Sequence, residues 1–218
     1  MNDITIPTYI INTSKQIESL HDIKQQFQGK IEFDMNIIQT HPHSNSHWAL
    51  WNNICEIIAI AEEKKEDVII ICKDNHQFSD DYNKIKLIAA IYEAHRLNAT
   101  LLFGGIVGGF NHILPLASGV SWLDACWESS FIIIFRSFYR SILDENFYET
   151  DVVENKLSEM TSNKFVMYPM ISTKKDISNV DVYEKYNPAC HSMDEIEEYA
   201  VRMKKIHHIF YRHTARMK

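Results

Sequence analysis

Apolar positions recur along this chain in two periods, a run or alternation suited to strands and a three-to-four spacing suited to helices. Ile4–Ile11 is rich in β-branched and aromatic residues and runs into Asn12-Thr13-Ser14, which predicts a strand, a turn and a helix cap. Gln16–Phe27 carries Ile17, Leu20, Ile23 and Phe27 at helical spacing, with Gly29 where a left-handed stop belongs. Ile31–Ile38 alternates as a strand. After the polar turn Thr40–Asn45, Ser46 precedes a helix whose apolar stripe is Trp48, Trp51, Ile54, Ile57, Ile58 and Ala61, ending in the charged run Glu62–Asp67. Val68–Cys72 is apolar without interruption, as expected of a strand covered on both faces.

Asp80–Leu97 predicts another helix, with Ile85, Ile88, Ala89 and Tyr92 on one face, and Thr100–Phe103 a short strand. This alternation predicts an α/β fold: an open, mainly parallel sheet with helices on both faces. Gly104–Gly109, opening the middle segment Gly104–Trp127, holds four of the six glycines, marking backbone that bends sharply or approaches something closely. Phe131–Phe135 then reads as a strand, Arg136–Leu143 and Asp151–Met160 as helices, and Phe165–Tyr168 as a strand. The last helix, Met193–Arg212, opens with acids and closes with bases, matching the helix dipole.

Composition narrows the function classes. The net charge is −7, and from Arg202 onward the tail has six basic residues and no acid, leaving the remainder at −13. A body so acidic is unsuited to nucleic acid. Cys55, Cys72, Cys126 and Cys190 have no metal-ligand spacing and read as buried thiols in a reducing compartment. No apolar run approaches the ~20 residues of a membrane span, and the start lacks a signal-peptide pattern, so the expected location is cytoplasmic. The basic tail leaves peripheral membrane contact open.

In open α/β sheets ligands bind beyond the carboxyl ends of the strands. Asn12, Thr40–Ser46, Asp74-Asn75-His76, Gly104–Asn111 and Ser172–Asp176 fall there. An Asp released from a buried strand can hold Mg²⁺ or Mn²⁺ against nucleotide phosphates, or simply cap the next helix. His41, His43 and His47 cluster before the second helix without a recognised ligand spacing.

Three stretches carry a family likeness. Tyr9-Ile10-Ile11-Asn12 is similar to an opening strand ending in Ile-Asn, and Ser46-His47 with Trp51 to a Ser-His-x-x-x-Trp helix start. Val68–Phe78 is similar to an apolar strand followed by Glu-Asp-Asp and a downstream Phe, and Tyr168-Pro169-Met170 running to Asp176-Ile177 is a looser fourth match. On these residues the chain resembles the GT-A glycosyltransferases, and within them family 25, which includes lipooligosaccharide β-galactosyltransferases. The resemblance implies a GT-A-like catalytic domain over residues 1–192 and a C-terminal helix with basic tail over 193–218. It implies a nucleotide sugar as donor, a hydroxyl acceptor (glycan, lipid-linked saccharide or peptide), and Mn²⁺ or Mg²⁺ as cofactor. Its donor-binding positions correspond to Asn12, Ser46, His47, Lys73, Asp74 and Asn75; Gly104 and Gly105 of the glycine-rich segment are further candidates for donor binding, and the expected metal ligand is Asp74, with His76 partly compensating for the acids the motif lacks.

Where the family has Glu-Asp-Asp this chain has Lys73-Asp74-Asn75, which leaves three readings: a metal-assisted enzyme with a reduced motif, a metal-independent one using Lys73, or an inactive relative. In the middle segment Asn111 and His112 offer hydrogen bonds, Trp122 and Trp127 offer faces for a sugar ring, and Asp124 and Glu128 lie one turn apart if the piece is helical. Asp124 is the expected general base, its pKa raised by the tryptophans, with Glu128 second. The alternative function is a non-catalytic protein that binds a partner through the Trp-rich segment and basic tail. A dinucleotide oxidoreductase is disfavoured, since no G-x-G-x-x-G follows the first strand.

Overall fold

The computed structural model describes residues 5–12, 17–40, 44–116, 119–175 and 192–214. Expectations placed on Thr13, Ser14, His41, His43, Asp176, Ile177, Cys190, Arg216 and Lys218 lie outside the described residues. In chain order the elements are β1 (Ile6–Asn12), α1 (Ile17–Phe27), β2 (Phe33–Gln39), α2 (Ser46–Glu63), β3 (Val68–Lys73), β4 (His76–Phe78), α3 (Lys84–Arg96) and β5 (Leu101–Phe103). There follow β6 (Ile113–Pro115), β7 (Val120–Leu123), β8 (Phe131–Phe135), a 3-10 turn (Arg136–Phe138) leading into α4 (Tyr139–Asp144), α5 (Val153–Glu159), β9 (Lys164–Met167), β10 (Ser172–Lys174) and α6 (Met193–Thr214).

Among the described residues, eight strands form one sheet in the order β2-β1-β3-β8-β5-β9-β7-β6, while β4 and β10 pair separately. β1, β2 and β3 are mutually parallel, β5 is parallel to β9, and β8 runs antiparallel between β3 and β5. With β7 reversed against β9 and β6 against β7, six of the eight strands point one way, a mostly parallel sheet with helices on both faces. Alternation along the strands sorts the core into two layers. Ile69, Ile71, Ile132 and Ile134 face α2, α4 and α5, whereas Ile70, Cys72, Ile133 and Phe135 face α1 and α3. Ile69, Ile70, Ile71 and Cys72 are all at most 2% exposed, as their unbroken apolar run requires. Each such side chain contributes about 1.5–3 kcal/mol on burial, so β3 and the fully buried β8 are the sheet's apolar centre.

β8 has a second consequence. Its pairing sets Phe131 beside Cys72, so the residues just before it arrive at the carboxyl end of β3. A parallel strand in that slot would have delivered them to the opposite edge.

Two local expectations are corrected. On α3 the buried residues are Leu87, Ala90 and Ala94, while Ile85 and Tyr92 are exposed. Of the expected face only Ile88 packs against the core, beside Ile91, because the sheet meets the helix on the adjoining stripe of the same spacing. The segment from Asp124 to Glu128 is not helical: β6 and β7 form a hairpin, and the chain then returns as a loop bridged at Gly108 and Trp127. The one-turn spacing proposed for the two acids therefore does not exist.

Candidate functional site

At the end of β3, Asp74 and Asn75 form a two-residue turn that leads into β4, which leaves the main sheet to pair with β10. The turn is anchored by backbone: the Lys73 N–H donates to the Ser130 carbonyl at 2.9 Å and the Asp74 N–H to the Ile11 carbonyl at 3.2 Å. Lys73 is ion-paired with Glu154, a carboxylate buried in the first turn of α5. Burial works to raise the Glu154 pKa, but the charge and hydrogen bond of Lys73, a backbone N–H and nearby His47 together bring it below its ordinary value.

Ser46 and His47 enter from the start of α2, where Asn45 is the N-cap. Its Oδ1 accepts from the N–H groups of His47 and Trp48 at 2.9 and 3.1 Å, fixing the first turn. The third wall follows β5. A Cβ on Gly105 would collide with the Ser172 carbonyl, so only glycine allows the loop to lie against β10, and Ser129 Oγ donates to the Gly105 carbonyl at 2.8 Å. The loop between β7 and β8 supplies Glu128, Ser129 and Ser130, and β10 supplies Ser172, Thr173 and Lys174. Lys174 Nζ meets Glu128 Oε2 at 2.9 Å.

These groups enclose a cavity of about 330 Å³. Its floor is the polar set just named with Asp74 and Asn75; its far wall is apolar, from Leu50, Ile106, Phe110 and Met170 together with Ile196, Tyr199, Ala200 and Met203 of α6. Tyr199 packs on Gly108 and edge-on against Phe110 and Trp127, and Arg202 donates to the Phe110 carbonyl at 3.2 Å. Farther along, buried His207 bonds Ser121 Oγ at 2.7 Å and stacks on Tyr168. The charge polarity of α6 gives no hint of this wall. The overlooked signal is Ile196, Tyr199, Ala200 and Met203, spaced three and four apart on one face.

Of the positions expected to bind the donor, Ser46, His47, Lys73, Asp74, Asn75 and Gly105 line this cavity. Asn12 and Gly104 do not: Asn12 Nδ2 donates to Gln39 Oε1 at 2.9 Å across the β1–β2 pair, and Gly104 is packed against the Phe131 ring. Glu128 lines the cavity and Asp124 does not. Asp124 accepts from the backbone N–H groups of Asn111 and His112, both at 3.0 Å, and its other oxygen meets His112 Nδ1 at 2.9 Å. Partial burial works to raise its pKa, yet these hydrogen bonds outweigh it and the pKa is lowered, the reverse of the expected elevation. The tryptophans are packing residues as well. Trp122 Nε1 donates to the Ser162 carbonyl at 2.7 Å, and Trp127 is held between Gly109 and Tyr199.

The donor set does not fit a resident divalent cation. Mg²⁺ and Mn²⁺ want several hard oxygen ligands, and the turn after β3 offers the single carboxylate of Asp74 between Lys73 and Asn75. His76, the second expected ligand, is 2% exposed, packed among Phe27, Phe78 and Phe131, with Nδ1 bonded to Ser172 Oγ at 2.8 Å. Burial, with the charge of Lys30, holds its pKa down at about 3, so the ring is neutral. Among the described residues no group of three or more His, Cys, Asp or Glu side chains could hold a metal ion, and no helix is long and apolar enough to cross a membrane.

No protein-family model and no curated protein sequence matches the chain. Solved structures do. A mannose-1-phosphate geranyltransferase from Thermus thermophilus overlaps 84% of this chain and 79% of its own, at 7% identity and a TM-score of 0.50. A glycosyltransferase involved in glycosylation of the major capsid of PBCV-1 overlaps 75% and 82%, at 9% identity and a TM-score of 0.48. An apo UDP-glucose pyrophosphorylase overlaps 92% and 82%, at 12% identity and a TM-score of 0.45. At such identities the likeness is one of fold alone: a large, mostly parallel sheet flanked by helices, shared with the Thermus thermophilus structure.

Proposed function

We propose that this chain is a nucleotide-sugar-dependent glycosyltransferase that moves a hexose onto a hydroxyl acceptor, within the likeness to family 25 drawn from Tyr9–Asn12, Ser46-His47 and Val68–Phe78. One observation carries the reading. An open cavity lies at the carboxyl ends of the parallel strands, where ligands bind in such sheets, and Lys73, Asp74, Ser46, His47 and Gly105 converge on it. Bulky side chains filling that space would have favoured the non-catalytic alternative.

In this reading the floor around Lys73 and Lys174 takes the diphosphate of the donor, and the apolar wall from α6 bounds the acceptor side. Glu128 serves as the general base in place of Asp124, because it faces the cavity while Asp124 ties down the loop after Gly109. The acceptor oxygen forms a bond to the anomeric carbon as that carbon's bond to the diphosphate oxygen breaks. The proton of the hydroxyl passes to the Glu128 carboxylate, and the nucleoside diphosphate leaves with the bonding pair. No step is assigned to a metal.

A panel of nucleotide sugars screened by thermal unfolding, with and without Mn²⁺, tests this. At least one should stabilise the protein, by about 2.7 kcal/mol at ~100 times its dissociation constant. A panel with no stabilising member would sink the transferase reading.

A further inference from the structure

Two lysines face the cavity floor, and each is matched by a glutamate, but the two pairs differ in what they can do. Lys73 is bound to Glu154, which is 3% exposed and fixed in the first turn of α5. Lys174 is bound to Glu128, which is 46% exposed at the cavity rim. The first pair is built in; the second can rearrange without burying or stranding a charge.

The backbone around the second pair is set for this. Lys174 is held by the β4–β10 ladder, opposite His76, so its stem always rises from the same point of the floor. Glu128 sits at φ 27°, a left-handed conformation that a non-glycine residue adopts only when its surroundings impose it. What imposes it is in view: the Val107 N–H donates to the Glu128 carbonyl at 3.2 Å, and Trp127 is bridged to Gly108. This geometry aims the carboxylate across the rim toward Lys174.

We propose that Lys174 exchanges partners during the reaction, binding Glu128 in the resting protein and the donor's diphosphate in the complex, so that donor binding frees the Glu128 carboxylate for the acceptor hydroxyl. The inference rests on the transferase reading and adds an order of events to it. A diphosphate offers more negative charge and more acceptor oxygens than one carboxylate, so it takes the ammonium over. The freed glutamate already faces the cavity, and no covalent bond changes in this step. The same exchange supplies positive charge to a diphosphate where the carboxylates for a divalent cation are lacking.

Calorimetry with inorganic pyrophosphate and with a set of nucleoside diphosphates, each in EDTA and in Mn²⁺, tests the exchange on the full chain. K174M should weaken pyrophosphate binding by about tenfold or more, and K174R, which keeps the charge, should hold it within a few-fold. The decisive variant is E128Q. Removing the competitor for Lys174 should tighten pyrophosphate binding several-fold, whereas a residue that merely shaped the rim would leave it unchanged or weaker. Unchanged or weaker binding in E128Q overturns the exchange. So does a wild-type protein that needs Mn²⁺ for diphosphate binding and tolerates K174M. In both cases nucleoside diphosphates still bind and the transferase reading survives. If the wild type binds neither pyrophosphate nor any nucleoside diphosphate under either condition, the exchange and the transferase reading fall together.

Discussion

The turn after β3 and the loop before β8 each carry candidate site residues, and each divides its polar residues between the cavity and the scaffold. In the first, Asp74 and Asn75 line the cavity while His76, one residue on, is sealed among phenylalanines. In the second, Glu128 lines it while Asp124 is used up by two backbone N–H groups and an imidazole. A chemically suitable side chain close in sequence to a site is therefore no measure of membership. What decides is where the side chain is already engaged: His76 by burial among aromatic rings and Ser172, Asp124 by two backbone N–H groups and His112.

The sharpest way to break this comparison is to exchange the acids. Glu128→Gln should lower sugar transfer by about 10²–10⁴-fold, the range for a positioned general base, while Asp124→Asn leaves the rate within a few-fold. Rates measured with a donor found in the nucleotide-sugar panel check this, and the reverse pattern would return the base to Asp124.

A second test sits on the cavity floor. Glu154→Gln leaves the Lys73 ammonium partly buried without its carboxylate. We expect a loss of about 2–3 kcal/mol in urea unfolding, below the ~3–5 of fully buried pairs because Lys73 keeps some contact with water. A loss under about 0.5 kcal/mol would make the pair a surface ornament.

The smallest effect separates His76 from the metal ligand it was expected to be. Its folded pKa, about 3, lies below the ~6.5 of an unfolded His, so the unfolded chain binds the extra proton first as pH falls. Stability from this residue is complete above pH ~6.5 and declines toward pH ~3, by about 2 kcal/mol at pH ~5. His76→Gln should flatten the part of the pH dependence that it owns, leaving that from His207, whose pKa is also lowered by burial. An equally steep decline in the variant would mean that His76 is not the source.

Much of the site was legible because it lies where short-range patterns end. Val68–Cys72 is largely β-branched and too short for a core helix, so it reads as a covered strand and Lys73-Asp74-Asn75 emerge at its carboxyl end; the start of α2 is legible to within one residue, the sequence placing Ser46 before the helix and the structure placing the cap at Asn45. The middle segment was not legible in the same way. Val120–Leu123 alternates too briefly to separate a strand from a helical turn, and the expected one-turn spacing of Asp124 and Glu128 depended on that choice. On α3, two stripes of equal period competed, and only the approach of the sheet could select Leu87, Ala90 and Ala94.

By itself the sequence determined the α/β alternation, the two-faced burial of β3, and the polar residues at its end, because period, run length and capping act within a few residues of one another. The tertiary structure alone decided three further matters: the reversed insertion of β8, the assignment of Glu128 rather than Asp124 to the cavity, and the closure of the apolar wall by α6. Each depends on pairing or packing between segments far apart in the chain. Ile71 with Ile132, Lys174 with Glu128 and Gly108 with Tyr199 are such contacts, and no local pattern encodes which distant partner a strand edge, an ammonium or a helix face will meet.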